Sequence, residues 1–146
     1  MMRYSTTHST KRIITAIITL LLTLPLTSHA TNNTDGFDWE PVIKAIAHIE
    51  SRGNASARNG SYVGLLQISP ILVTECNNIL KSQGSSKRYT LADRTNAQKS
   101  KEMFVIIQKH HNPTNNIERA IRLWKGGIAY SIKKTQSYFN RVMQLL

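Results

Sequence analysis

Hydrophobic residues recur at helical spacing along most of the chain after position 37. The first apolar face is formed by Trp39, Val42, Ile43, Ile46 and Ile49. At about 100° per residue, Glu50 falls within roughly 40° of Ile43 and Ile46 on the helical wheel. The pattern therefore predicts a helix from Asp38, its N-cap, to about Ser51, with a carboxylate on its buried side.

Four more helices follow from the same periodicity. Ser69-Pro70 is typical of a helix start, and a third helix is predicted from the Thr95-x-x-Gln98 capping box to His111. The second helix is predicted to bury Ile71, Leu72, Cys76, Ile79 and Leu80. A fourth helix ends at Gly126-Gly127, and a fifth begins near Ser131.

Residues 62–68, between the first two helices, lack helical periodicity and are predicted to be extended or irregular. No strand pattern occurs elsewhere and no internal repeat is found. The expected fold class is therefore mainly α, as a single domain.

The position of Glu50 suggests acid chemistry. Burial disfavours a charged carboxylate, and the negative end of the helix dipole acts in the same direction. A glutamate that holds its proton near neutral pH can serve as a general acid. The alternative is an ordinary exposed glutamate at a frayed helix end, or one paired with Arg52 or Arg58.

The first thirty residues are typical of a signal peptide. Arg3, Lys11 and Arg12 precede an apolar run at 13–26, and Ser28-His29-Ala30 fits a small-x-small cleavage site. We expect 1–30 to be removed, 31–37 to be a flexible lead and 38–146 to fold, with no stable membrane span after processing. An uncleaved membrane anchor is the alternative.

The charge of the chain points to an anionic partner. The formal net charge is +11, and loss of three basic residues with the signal leaves +11 − 3 = +8. Such a surface suits nucleic acid, an anionic membrane or an acidic cell-wall polymer. Because an exported protein rarely meets nucleic acid, we expect the bacterial cell wall as partner and the periplasm or envelope as location. Solvated charge without a partner is the alternative.

Metal, cofactor and thiol chemistry find little support in the sequence. Cys76 is the single cysteine, so it forms no intramolecular disulfide and is expected to be a buried core thiol. His110 and His111 are adjacent, so they do not form the i, i+4 pair of a helical zinc site and are expected to be exposed. We expect no metal and no cofactor.

A series of short motifs carries a family resemblance. The series consists of Glu50-Ser51, Gly64-Leu65-Leu66-Gln67, Leu123-Trp124-Lys125-Gly126-Gly127 and Tyr138. It resembles the Glu-Ser, Gly-Leu-Met-Gln, Ala-Tyr-Asn-x-Gly and distal Tyr series of the lytic transglycosylases with an SLT-type catalytic domain, in the lysozyme-like superfamily. The resemblance runs from about Trp39 to the C-terminus and implies a lysozyme-like domain whose small β element lies beside the cleft.

The resemblance implies peptidoglycan cleavage by a single glutamate. Glu50 would protonate the glycosidic oxygen of the MurNAc–GlcNAc bond and then take the proton of the muramyl 6-hydroxyl, which closes a 1,6-anhydro ring. Because water is not the nucleophile, no second carboxylate is needed to activate it. Ser51 would support Glu50 or the substrate, and Tyr138 would orient Glu50.

The remaining motif residues are implied to bind substrate. Gln67 would hydrogen-bond sugar or N-acetyl groups, Gly64 would let the backbone approach, and Trp124 would supply an aromatic wall. Lys125 stands where the family motif has Asn, and an ammonium donates hydrogen bonds but cannot accept them. A cation near Glu50 also opposes its protonation, so activity is expected to be retuned, lowered or lost.

Two other functions compete with the leading hypothesis. A lysozyme-like hydrolase would need a second carboxylate in the cleft, for which Glu75 and Asp93 stay open. A non-catalytic peptidoglycan-binding or scaffold protein would keep the fold while Lys125 impairs the site. The small size of the chain also suits enzymes that open the wall for a secretion or conjugation machine.

Overall fold

The computed structural model describes residues 36–146, so the predicted signal peptide and most of the predicted lead lie outside the described residues. In chain order the elements are α1 (Glu40–Ser51), β1 (Arg58–Asn59), β2 (Tyr62–Val63), α2 (Pro70–Ser82), a 3-10 helix (Leu91–Thr95), α3 (Ala97–His111), α4 (Ile117–Gly126) and α5 (Ile132–Met143). The mainly α fold with a small β element is thus confirmed. Among these described helices, none has the length and apolar character needed to cross a membrane.

The first two helices begin close to where the sequence places them. Ser69 is the N-cap of α2, and its hydroxyl accepts a hydrogen bond of 3.2 Å from the Leu72 amide. For α1 the N-cap position is Trp39, one residue later than predicted. The Asp38 carboxylate still accepts a hydrogen bond of 2.9 Å from the Glu40 amide, so it satisfies one free N–H of the first turn.

The predicted start of α3 is wrong in detail. Thr95 ends the preceding 3-10 helix, where its hydroxyl donates to the Ala92 carbonyl. Asn96 is the N-cap instead, and its side chain accepts from the Lys99 amide at 3.0 Å. A capping box exists nearby, but it opens the 3-10 helix. Two cap signals one residue apart compete here, and asparagine is at least as good a cap as threonine.

The core joins the helices through a line of aromatic rings. Trp39, at the N-cap of α1, meets Phe104 on α3 edge-on at 5.6 Å between centroids, and Phe104 meets Trp124 on α4 at 5.0 Å. Ile46 and Ile121 are fully buried on α1 and α4. These contacts pack α1 and α4 into one core, and the side chains of the candidate site extend from the last turns of these two helices.

The structure corrects the predicted burial of Ile71 and the predicted exposure of His111. Ile71 is 81% exposed, whereas Val73 is buried on the core side of α2. Because Pro70 occupies the first helical position, Ile71 lies in an exposed first turn and does not follow the buried stripe. His111 is only half-buried, with Nε2 2.9 Å from a Glu75 carboxylate oxygen, so the two histidines are not an exposed pair. Cys76 is fully buried, as expected.

Candidate active site

A cleft of about 220 Å³ opens between the helices and the β hairpin. Its lining residues are Glu50, Asn59, Tyr62, Gln67, Ser69, Leu72, Trp124 and Lys125. Four of these were predicted from the motifs, although they are up to 75 positions apart in sequence (125 − 50). The fold therefore gathers Glu50, Gln67, Trp124 and Lys125 around one space.

Glu50 is half-buried in the last turn of α1 and lies next to Tyr138 of α5. The Tyr138 side chain is buried, and burial raises the pKa of its phenol. The charge of Glu50 and contact with its carboxylate raise that pKa further. The hydroxyl makes no regular hydrogen bond within the described residues, so it is close to the carboxylate without being fixed on it. A protonated phenol there can donate to Glu50 when the carboxylate is ionised.

Within residues 36–146, Glu50 is the only carboxylate that lines the cleft. The two acids left open by the sequence are engaged elsewhere. Glu75 faces His111, and the Asp93 carboxylate accepts hydrogen bonds from Thr90 and Lys99. The Lys99 contact is the main reason that the pKa of Asp93 is lowered from its ordinary value. The described part of the cleft thus offers one acid and no second carboxylate to activate water.

Gln67 is held in an uncommon backbone conformation, with φ of 51°. Its side-chain amide donates to the Gly64 carbonyl at 2.9 Å and to the Ala57 carbonyl at 3.3 Å. The side-chain oxygen has no hydrogen-bond partner among the described residues. Since both amide hydrogens are used, the oxygen is left as an oriented acceptor in the cleft wall. Backbone strain of about 1–3 kcal/mol at such a position is typical of functional sites.

Gly64 permits a close backbone approach, but the approaching group belongs to the protein. Its φ is +87°, and a Cβ placed on it would lie 1.7 Å from the Arg94 carbonyl oxygen. Gly64 is buried and does not line the cleft. Its role in this structure is to let the 3-10 helix pack against the segment that carries Gln67.

Ser51 also supports the wall of the cleft without lining it. Its hydroxyl donates to the Leu65 carbonyl at 2.7 Å and has a second, longer contact of 3.2 Å with the Ala47 carbonyl. Ser51 is not among the residues that line the cleft. It joins the end of α1 to the segment before Gln67, and so fixes Glu50 relative to Gln67.

Trp124 and Lys125 form the α4 side of the cleft. The Trp124 indole donates to the Leu66 carbonyl at 3.2 Å, which orients its ring. The Lys125 side chain is exposed, and its ammonium lies 5.1 Å from the centroid of the Tyr138 ring. No carboxylate oxygen of residues 36–146 lies within 4.0 Å of that ammonium, so Lys125 and Glu50 line one cleft without forming an ion pair.

The sequence motifs do not include four residues that line the cleft, nor one buried arginine that supports its wall. The lining residues are Asn59, Tyr62, Ser69 and Leu72. The sequence could have indicated Asn59 and Tyr62, because a hairpin beside the cleft must direct some side chains into it. The support is Arg94, whose guanidinium donates to the Leu91, Ser61 and Ile68 carbonyls while being 8% exposed. No sequence pattern distinguishes this arginine from the exposed ones.

In the part of the chain that the structure describes, no three His, Cys, Asp or Glu side chains are grouped to hold a metal ion. Comparisons with family models, with curated proteins and with solved structures found no match to this chain.

Proposed function

We propose that this chain is an exported peptidoglycan lytic transglycosylase with a lysozyme-like domain. The observation that carries the proposal is that one carboxylate, that of Glu50, lines the cleft among the described residues. Glu50 is half-buried, contacts Tyr138 and faces an oriented amide acceptor on Gln67. One acid without a second carboxylate among the described lining residues suits a reaction in which the substrate supplies its own nucleophile.

The chemistry needs only one proton-carrying group. Protonated Glu50 gives its proton to the glycosidic oxygen as the bond from that oxygen to muramyl C1 breaks. The muramyl 6-hydroxyl then bonds to C1, and its proton returns to the Glu50 carboxylate. Atoms and charge balance without water, and Glu50 ends in the state in which it began. A nearby Tyr138 hydroxyl would stabilise the carboxylate between the two steps.

The remaining groups of the cleft would bind the glycan. The Gln67 oxygen would accept from an N-acetyl N–H or a hydroxyl group. The Trp124 ring and the exposed Tyr62 ring offer apolar surfaces for sugar rings. The positive net charge would favour association with the anionic wall of a bacterial envelope.

The test compares the chain from Thr31 onward with its Glu50→Gln variant on purified peptidoglycan. Soluble products are identified by mass spectrometry. The proposal expects 1,6-anhydromuropeptides from the parent protein and none from the variant. Products with hydrated reducing ends would make the chain a hydrolase and would require a second acid from outside residues 36–146.

Lys125 favours a second candidate, a peptidoglycan-binding protein without activity. Its ammonium can donate hydrogen bonds in the cleft but cannot accept one from a sugar hydroxyl or N–H group, as the asparagine of the resembled motif could. This candidate expects folded protein that binds purified cell walls, releases no products and binds equally well after Glu50→Gln. Recovery of product formation by Lys125→Asn would show that this one cation separates the two functions.

A further inference from the structure

The cleft contains a single cationic side chain, and that cation lacks a counter-ion among the described residues. Lys125 is the one basic residue among the eight that line the cleft. Its ammonium is exposed and makes no ion pair within residues 36–146. Three lysines elsewhere on the surface each bind a carboxylate, namely Lys87, Lys99 and Lys101. The described ion pairs include neither Lys133 nor Lys134 on α5. Lys125 differs from these last two because it lines the cleft. A cation in a cleft without an internal partner is suited to an anionic group of a ligand.

The Tyr138 ring determines where that cation lies. Lys125 Nζ is 5.1 Å from the ring centroid, and the hydroxyl of the same ring lies close to the Glu50 carboxylate. A cation–π contact favours the ammonium at the ring face. One buried ring thus places a cation and the candidate general acid at different points of the same cleft. A ligand anion bound by Lys125 would therefore lie in the same cleft as Glu50.

The other polar groups of the cleft are neutral. Asn59, Tyr62, Gln67 and Ser69 supply amide and hydroxyl groups, which suit the hydroxyl and N-acetyl groups of a sugar. Among the described residues that line the cleft, Glu50 and Lys125 are the two charged ones. The charge pattern therefore fits a sugar ligand that carries one carboxylate close to the bond that is cleaved.

We propose that Lys125 selects glycan strands whose muramic acid presents a free carboxylate. This inference rests on the proposed function, since it names the preferred substrate of the same cleft. The lactyl group of muramic acid is attached at C3, two ring carbons from the C1 atom at which the bond breaks. Its carboxylate is free only where no peptide is attached. The carboxylates of an attached stem peptide have the same chemistry and are the other source.

The experiment measures binding to the Glu50→Gln protein, which prevents turnover. The ligands are three GlcNAc–MurNAc tetrasaccharides with a free lactyl carboxylate, with the lactyl group as its methylamide, or with a stem peptide attached. Binding is followed through the indole N–H signal of Trp124 in NMR titrations. Lys125→Gln removes the charge, Lys125→Arg keeps it, and Lys133→Gln removes an exposed charge from α5 outside the cleft.

The free acid is expected to bind on the order of tenfold more tightly than the methylamide, as for a charge-assisted hydrogen bond. Lys125→Gln should abolish this preference, whereas Lys125→Arg and Lys133→Gln should retain it. If the stem-bearing ligand behaves like the methylamide, the lactyl carboxylate is the group selected. If it binds as tightly as the free acid and also depends on Lys125, the stem supplies the carboxylate.

Equal affinity for all three ligands in the presence of Lys125 would overturn the inference. It would leave the proposed function in place, because glycan binding and the release of anhydro products do not depend on this preference. Failure of every ligand to bind the folded protein would overturn both together.

Discussion

The two walls of the cleft are built by different means. Glu50, Trp124 and Lys125 extend from α1 and α4, whose buried faces pack in the core. The opposite wall, here called the loop wall, is the segment 58–68 that carries Asn59, Tyr62 and Gln67. It contains only a two-residue hairpin pair and one isolated bridge, so regular secondary structure cannot hold it in place.

The loop wall is held instead by side chains that donate to its carbonyl groups. Arg94 binds the carbonyls of Ser61 and Ile68, Ser51 binds that of Leu65, and Trp124 binds that of Leu66. Each donor comes from a neighbouring helix. The helical wall should therefore tolerate conservative changes in packing. The loop wall should lose its structure when a single hydrogen-bond donor is removed or when a close backbone contact is changed.

The largest effect is expected for Gly64→Ala. The new methyl group would overlap the Arg94 carbonyl oxygen, at 1.7 Å, in a backbone conformation with positive φ. We expect the free energy of unfolding to fall by about 4 kcal/mol or more, since backbone must move to relieve the overlap. Urea denaturation of the chain from Thr31 measures the change.

Gly60→Ala is the matched control, because Gly60 also has positive φ (+58°) but nothing lies within 4 Å of its added Cβ. It should lose only about 1 kcal/mol, from the left-handed conformation alone. Equal losses for the two variants would show that the contact with the 3-10 helix does not hold the loop wall.

Arg94→Met should be the next most damaging change. It removes the hydrogen bonds from the buried guanidinium to the Leu91, Ser61 and Ile68 carbonyls, so we expect a loss of about 3 kcal/mol in unfolding free energy. The Ile68 carbonyl keeps its hydrogen bond from the Val63 amide. Arg88→Met removes an exposed guanidinium that also donates to carbonyls, and should change stability by less than about 0.5 kcal/mol. Similar losses in both variants would contradict the role assigned to Arg94.

The packing between the helices can be tested at Cys76, on α2. Burial, and secondarily the charge of Glu75, raises the pKa of its thiol from 9.0 to about 12. The folded state therefore favours the protonated thiol. That contribution to stability is fully present below pH 9 and is lost as the pH rises toward 12.

Between pH 7 and 10.5, the parent protein should lose about 2 kcal/mol more unfolding free energy than Cys76→Ala does. Urea denaturation at the two pH values gives this difference, and titration of Tyr89 and Tyr138 cancels because both proteins contain them. Parallel losses in the two proteins would mean that the thiol is not as well desolvated as the packing of α2 and α3 indicates.

The same contrast explains what the sequence could predict. Apolar periodicity located five helices and placed Glu50 on a half-buried face, because helix packing repeats every 3.6 residues. It could not find Arg94, whose partners are carbonyl groups far along the chain and leave no pattern. The motif resemblance selected Gly64 and Ser51, but only the coordinates show that both act on the protein's own backbone.

The smallest effect on stability, and the clearest on function, is expected at Gln67. Gln67→Gly relieves the strain of a positive φ but removes the hydrogen bonds to Gly64 and Ala57, so the two changes should offset each other to within about 1 kcal/mol. Gln67→Ala loses the same hydrogen bonds and keeps the strain, and should be less stable than the glycine variant by about 1 kcal/mol. Both variants lose the oriented acceptor in the cleft and should release anhydro products about tenfold more slowly. If Gln67→Gly kept full activity, the strained backbone at Gln67 would serve only to close the turn, and the loop wall would contribute shape, not chemistry, to the cleft.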